Sequence, residues 1–349
     1  MPRRSPLLAA PLMLAAMGPA AGQAAAPPQR LDDKGTLIGI WENDLFASTD
    51  KGYTNGVFAG WQSPSADPPR WLSWIGRHSL FMLPNDGALR WGIGAGQNIY
   101  TPSDIDRRVP DPTDRPYAGW LYGAFTVLSY AERVRWREDV NVTKFGAIEL
   151  QLGVVGPSAL GEQVQNNVHD VISVERALGW DHQLKDQPGA NLVLTRQWRV
   201  NRPIRGADPM GLAIGLVPDF TVSLGNVQTY ASAGLMVRIG TNLEADFGPP
   251  RIRPAPAGSG FFQPDGRWGW YVFAGGELRG VVTDVFLDGN AWRDSARVDK
   301  RTLVGDGILG LALITPWARV SYSHTWRSRE FDTQKELPQF GSISLSWRL

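Results

Sequence analysis

The chain has 349 residues, no cysteine and a formal net charge of +1, with 35 basic side chains against 34 acidic ones. The lack of Cys excludes a thiol nucleophile, a thiolate metal site and a disulfide-stapled fold, and the near-neutral balance offers no global field for nucleic acid, which is not expected as a partner. The mean hydropathy is slightly negative, as for strands that alternate apolar with polar residues, although a secreted soluble protein shares that average.

At the start of the chain, Arg3 and Arg4 supply a positive segment, residues 7–17 an apolar stretch and residues 20–26 a run dominated by small residues suited to signal-peptidase cleavage. The apolar stretch falls short of the roughly 20 residues of a spanning helix, so residues 1–26 are expected to be a cleavable signal peptide, cut after Gly22 or Ala26. Downstream, Lys, Arg, Asp or Glu interrupts every long apolar stretch, which excludes helical spans. Residues 27–349 are therefore expected to form one outer-membrane domain.

Twelve amphipathic segments follow in order: 36–43, 53–62, 90–100, 118–130, 143–153, 190–199, 210–222, 228–239, 268–287, 302–313, 318–327 and 340–348. In the last of them Ile343, Leu345 and Trp347 alternate with Ser342, Ser344, Ser346 and Arg348, one face apolar and the other wet. An even count suits an all-β, antiparallel transmembrane β-barrel with both termini in the periplasm. Many of the 15 tryptophans fall in strands or at their ends (Trp41, Trp61, Trp91, Trp120, Trp198, Trp268, Trp270, Trp317, Trp326 and Trp347), as interfacial girdles would place them. The long connections 100–119, 153–189, 248–267 and 288–301 are expected outside the cell, and 224–227 and 314–317 as tight periplasmic turns. One helix is expected, within 160–178 of an outer loop.

Several residues are expensive for a passive wall. Glu42, Asn43 and Asp44 close the first strand and Thr54 and Asn55 open the second, so carboxylate and amide oxygens gather at one hairpin. Such oxygens can hold a hard cation such as Ca²⁺, or simply cap a turn. On the helix Gln165 and His169, four residues apart, share a face, and a histidine there is either a general base or a solvated loop residue. Arg107, Arg108, Asp111, Asp114 and Arg115 crowd one loop, as solvated charges or as a phosphate-recognition patch. No G-x-S-x-G elbow is present, so a serine hydrolase of the common soluble type lacks support.

Five blocks occur in one order: Glu42-Asn43-Asp44-x-Phe46, Thr49-Asp50-x-Gly52-Tyr53-Thr54-Asn55-Gly56, Gly96-Gln97-x-Ile99-Tyr100-x-Pro102, Asp114-Arg115-Pro116-Tyr117-Ala118-Gly119, and Gly156-Pro157-x-Ala159-x-Gly161-x-x-x-Gln165-Asn166-x-x-His169. Together they resemble the lipid A 3'-O-deacylase family of Gram-negative outer membranes, over roughly residues 40–183. The resemblance implies a twelve-stranded barrel with its site between the outer wall and a loop helix, and a Ca²⁺-dependent ester hydrolysis of lipid A in lipopolysaccharide. By position it implies His169 as general base, Asn43 and Asp44 at the cation, Thr54 in the catalytic set, and Arg107, Arg108, Gln165 and Glu175 as substrate-binding residues. Where the family's best-studied type has a lysine this chain has Arg107, which keeps the charge and changes the donor geometry. Glu175 lies six residues past His169, about 240° around an ideal helix, so the two can meet only if the helix ends or bends between them. The rival readings are a non-enzymatic channel or structural barrel and a phospholipase A-type barrel.

Overall fold

The structure is a computed structural model that describes residues 31–44, 52–79, 81–84, 86–137, 140–173, 175–204, 211–252 and 259–349. The signal-peptide segment 1–26 lies outside the described residues. Twelve strands run antiparallel: β1 Thr36–Asn43, β2 Gly52–Gln62, β3 Ala88–Thr101, β4 Ala118–Arg137, β5 Val140–Val155, β6 Gln187–Pro203, β7 Ala213–Gly225, β8 Gln228–Gly240, β9 Gly269–Asp284, β10 Leu303–Ile314, β11 Ala318–Arg327 and β12 Gln339–Arg348. Each pairs with its neighbours in sequence, and β1 closes on β12. Closure leaves no unpaired strand edge, the condition a sheet must meet to cross hydrocarbon.

Alternation sets the two faces. Leu309, Leu311 and Leu313 of β10 point outward and are exposed, while Val304, Asp306, Ile308 and Ala312 point into the lumen and are buried. The outward row continues through cross-strand partners: Leu311 pairs with Tyr322, Tyr322 with Ile343, and Ile343 with Trp41. At the end where β1 begins and β12 finishes, with the Leu349 amide bonded to the Gly35 carbonyl, Trp61, Trp91, Trp268, Trp270, Trp317 and Trp347 form an arc of a girdle along the wall. This is the periplasmic end of an even-stranded barrel. Trp120 is not a girdle residue: its even parity on β4 turns it inward, where it is 2% exposed.

Side chains and a returning connection occupy much of the lumen and leave a cavity beside Ile40, Thr126, Glu149 and Arg251. Strand parity places the β8–β9 connection at the periplasmic end rather than outside as expected for 248–267, and its described parts, 241–252 and 259–268, fold back into the barrel. Its Leu243, Phe247, Ile252, Phe261 and Phe262 are buried, and Phe247 and Phe261 pack on Phe145 and Tyr130 of the wall. Asp246, fully buried, accepts from Arg238 Nη1 and Arg319 Nη1 at 2.6 Å each and from Tyr271 Oη at 2.8 Å. The same parity moves the tight turn 224–227 to the outer end. There Arg327 forks onto Asp306 with two bonds of 2.8 Å, and Glu330 of the β11–β12 loop joins Arg115 at 3.2 Å and Arg327 at 3.3 Å. The short helix α3, Val285–Asp288, caps this end, with Phe286 stacked on Tyr100 at 4.1 Å.

Two longer helices lie outside the strands. The helix α2, Gly161–Ile172, is the expected one, shorter than the 160–178 window. The other, α1, Arg70–His78, lies in the β2–β3 connection and was not expected. It packs Leu72 and Ile75 against Leu89, Val127 and Ile148 on the outside of the wall. Its Gly76 faces Leu89 so closely that a Cβ there would come within 2.9 Å of that side chain.

Candidate active site on the outer wall

Parity divides the end of β1. Ile38, Ile40 and Glu42 face the lumen, whereas Asn43 has the outward parity of Leu37 and Trp41. Glu42 is held inside by Arg251, whose Nε donates to its Oε1 at 2.7 Å and whose Nη1 also reaches Thr325 Oγ1 at 3.0 Å. Asn43 stands on the opposite side of the wall and yet is only 5% exposed. Its Nδ2 donates to Asn55 Oδ1 at 3.3 Å across the β1–β2 pair, and Trp41 Nε1 donates to the same oxygen at 3.0 Å. Asp44 follows with no exposed surface. Thr54 lies in β2, and its side chain is outside the described residues.

One cross-strand row carries this polar pair to the helix. Asn43 pairs with Asn55, Asn55 with Ile99 of β3, and Ile99 with Gly119 of β4. Four adjacent strands span about 14 Å. At the far end of the row the chain around α2 lies directly on the backbone: a Cβ on Gly119 would sit 3.0 Å from Ala159 Cβ and 3.3 Å from the Gly161 amide. Gln97 of β3, also of outward parity, donates from Nε2 to the Ala159 carbonyl at 2.6 Å. Ile99, Tyr117, Ala177 and Trp180 form an apolar cluster under the helix, with Val164 of α2 packed against it.

Both candidate helix residues face this contact: Gln165 is 3% and His169 4% exposed. The helix ends at Ser173, in the left-handed region at φ 59° with its amide bonded to the His169 carbonyl. That reversal brings the chain back so that the Glu175 carbonyl oxygen lies 2.5 Å from His169 Nδ1. A carbonyl only accepts, so Nδ1 carries the proton and Nε2 is the acceptor nitrogen of the neutral ring. Glu175 thus meets His169 through its backbone, while its side chain is exposed. Further pins hold the return: Asn166 Oδ1 accepts from the Ala177 amide at 3.0 Å, and Arg176 forks onto Asp170 at 2.8 and 2.5 Å. The Arg176 hydrogen bonds hold the Asp170 carboxyl below its ordinary range. Trp180 Nε1 donates to Gln165 Oε1 at 2.8 Å, and the buried Gln165 Nε2 has no partner among the described residues.

The basic loop divides in two. Arg107 and Arg108 are exposed, and Arg107 lies 3.7 Å from Asp111 in an open pair that leaves its charge accessible. Arg115 is buried against Glu330 and Tyr100, and Asp114 bonds the amides of Ser103 and Arg115, so these two build the loop. The loop is tied to the helix region by the Leu178 amide, which bonds the Ile105 carbonyl at 2.9 Å. Asn55, which the sequence already places among the oxygens of the hairpin, is a site residue, and so is Trp180, which sequence reasoning did not single out and which no local signal marks.

The donor types adjacent in the chain at the end of β1 suit a hard cation, since Asp44, a buried carboxylate, directly follows Asn43, a buried carboxamide. Among the described residues no three His, Asp or Glu side chains gather as a metal cluster, so water and substrate oxygens would complete the shell.

Comparison with known proteins bears on the fold and the family. A sequence profile described as "Outer membrane protein LpxR" matches residues 7–349. Among solved structures, LpxR from Salmonella typhimurium superposes with a TM-score of 0.66 at 20% identity, covering 89% of this chain and 99% of that one. The transport unit of the autotransporter AIDA-I from Escherichia coli reaches a TM-score of only 0.40 at 8% identity, covering 91% and 90% of the two chains. A comparison with curated protein sequences returns no significant match. The profile spans nearly the whole chain, and on that basis the chain belongs to the LpxR family of outer-membrane proteins.

Proposed function

We propose that this barrel is an outer-membrane hydrolase that removes the 3'-linked acyl or acyloxyacyl group from lipid A, with Ca²⁺ as cofactor and His169 as general base. The observation that carries the reading is the polar row on the outer wall. Asn43, Asn55 and Gln97 take outward positions, where hydrocarbon favours apolar residues, and α2 is set beside them with Gln165 and His169 buried. A wall that only separated lumen from lipid would have no use for them.

The substrate's acyl chains lie against the apolar wall below this row, and its phosphosugar meets the exposed Arg107 and Arg108 at the rim. His169, its Nδ1–H fixed on the Glu175 carbonyl, takes a proton from water at Nε2. The water oxygen bonds to the ester carbonyl carbon, the bond from that carbon to the sugar oxygen breaks, and the leaving oxygen recovers the proton. Gln165, its carbonyl held by Trp180, keeps Nε2 as a donor toward substrate oxygen. Asn43 and Asp44 would hold Ca²⁺, with Thr54 of β2 completing the catalytic set. Bound there, the cation supplies positive charge opposite the oxygen that becomes anionic in the transition state, typically worth several kcal/mol.

The test is mass spectrometry of lipid A from a host lacking such an activity, expressing the chain with and without a Ca²⁺ chelator. Loss of one 3'-linked acyl group, abolished by the chelator, is expected. Unchanged lipid A, or release from glycerophospholipid alone when both lipids are offered to the purified protein, overturns the reading. A channel is disfavoured by the ion pairs that occupy the lumen at both ends, Asp246 with Arg238 and Arg319 at the periplasmic end and Asp306 with Arg327 at the outer one.

A further inference from the structure

We propose that α1 is an interfacial anchor whose exposed face binds phospholipid of the periplasmic leaflet and fixes the depth at which the barrel sits. The helix has two unlike faces. Leu72, Ile75 and Gly76 lie on the wall, while Arg70, Trp71, Trp74, Arg77 and His78 are exposed. Trp74 is 57% exposed and Phe81, just beyond the helix, 73%. Two large apolar side chains so placed on a surface need a partner, and the helix itself carries no acidic residue.

Continuity with the lipid-facing wall identifies the partner. The Trp71 ring lies 6.2 Å from Trp91 and 5.9 Å from Phe125, and Trp91 lies 5.2 Å from Trp61, so the helix extends the girdle already described at this end. Amphipathic aromatic rings settle at the boundary between headgroup and hydrocarbon, and guanidinium groups beside them pair with phosphate. Arg70 and Arg77 flank Trp71 and Trp74 in that manner.

The anchor has a geometric consequence for the site. From Trp91 to Ile99 along β3, at about 3.4 Å per residue and a tilt near 40°, is about 20 Å along the membrane normal. The apolar band of such barrels is about 25 Å tall. An anchor at one boundary therefore holds the row of Asn43, Asn55 and Ile99 near the other. This inference is independent of the reaction assigned above, because its readout is depth.

The chain has no native cysteine, so a Trp74→Cys variant accepts a single nitroxide label. Reconstituted in phosphatidylethanolamine–phosphatidylglycerol vesicles, the label should collide more with dissolved oxygen than with an aqueous nickel chelate. A Trp292→Cys control in the outer β9–β10 connection should show the reverse. Adding Arg70→Glu and Arg77→Glu should move the Trp74 label toward water in these vesicles, and less so in phosphatidylcholine, whose headgroup keeps the phosphate but carries no net charge. A Trp74 label as accessible to nickel as the control overturns the proposal, as does dipolar broadening that would place a second copy against the helix. Heat-modifiable mobility of each variant on electrophoresis confirms a closed barrel, so that a folding failure is not read as loss of the anchor.

Discussion

The lumen and the outer wall both bury polar side chains, and they bury them differently. In the lumen many charges meet an opposite one at short range: Asp246 between Arg238 and Arg319, Asp306 between Arg279 and Arg327, Glu42 on Arg251. Such pairs hold the inward connection and close both ends. On the outer wall the buried groups are amides and an imidazole, bonded to one another, to the indole N–H groups of Trp41 and Trp180 and to backbone carbonyls. The difference teaches where chemistry belongs. A neutralised network is a scaffold, whereas a set of hydrogen-bonding groups placed against lipid is arranged for a ligand that carries both hydrocarbon and polar atoms.

The widest separation between the two regions should come from His169→Ala. Acyl release is expected to fall about 10²- to 10⁴-fold with the barrel still closed. Single-turnover assays on purified lipid A, with electrophoretic mobility as the folding control, measure it, and a full rate would dissolve the distinction. Asp246→Ala should do the opposite. Two buried guanidiniums lose their common anion, costing about 3–5 kcal/mol in a urea-unfolding titration in detergent, with the rate per folded molecule unchanged. A fall in rate at unchanged stability would make the lumen part of the site.

Smaller changes sharpen the outer side. Trp180→Phe leaves the buried Gln165 carbonyl without its donor, a loss of about 1–3 kcal/mol, and hydrogen exchange should rise in α2 while the strands stay protected. The least effect is expected at Asp170. Arg176 lowers its folded-state pKa, so the pair contributes at neutral pH and is lost only as pH falls through that depressed value, below the ordinary 3.8. Exchange at Ser173 and Arg176, divided by the intrinsic rate of an unprotected amide at each pH, should therefore stay constant from pH 7 down to that region and rise beneath it. A rise already near pH 6 would assign the pin to another group.

Much of the barrel was legible in the chain. β1 and β11 begin and end where alternation put them, and the other strands differ mainly by extending into their turns. The helix α1 was missed because its nine residues, behind Pro68 and Pro69, are too few to display a helical period and read as connection. Two connections were assigned to the wrong ends, 248–267 and 224–227, because length is a poor guide to side when a long segment can fold back into the lumen. Within the site, the spacing of Gln165 and His169 gave their common face. The role of the Glu175 backbone was hidden, since it depends on a left-handed turn at Ser173 that nothing in the residue type requires.

What the sequence determined by itself is the alternation that gives each strand two chemically distinct faces, and the order of the polar blocks that marks the family. Only the tertiary structure decided which face meets lipid. Glu42 and Asn43 are adjacent polar residues on one strand, and nothing local distinguishes them. Closure of the sheet sends Glu42 inward to Arg251 of a distant connection and leaves Asn43 outside beside Asn55, because side and partner are properties of the closed barrel and not of the strand.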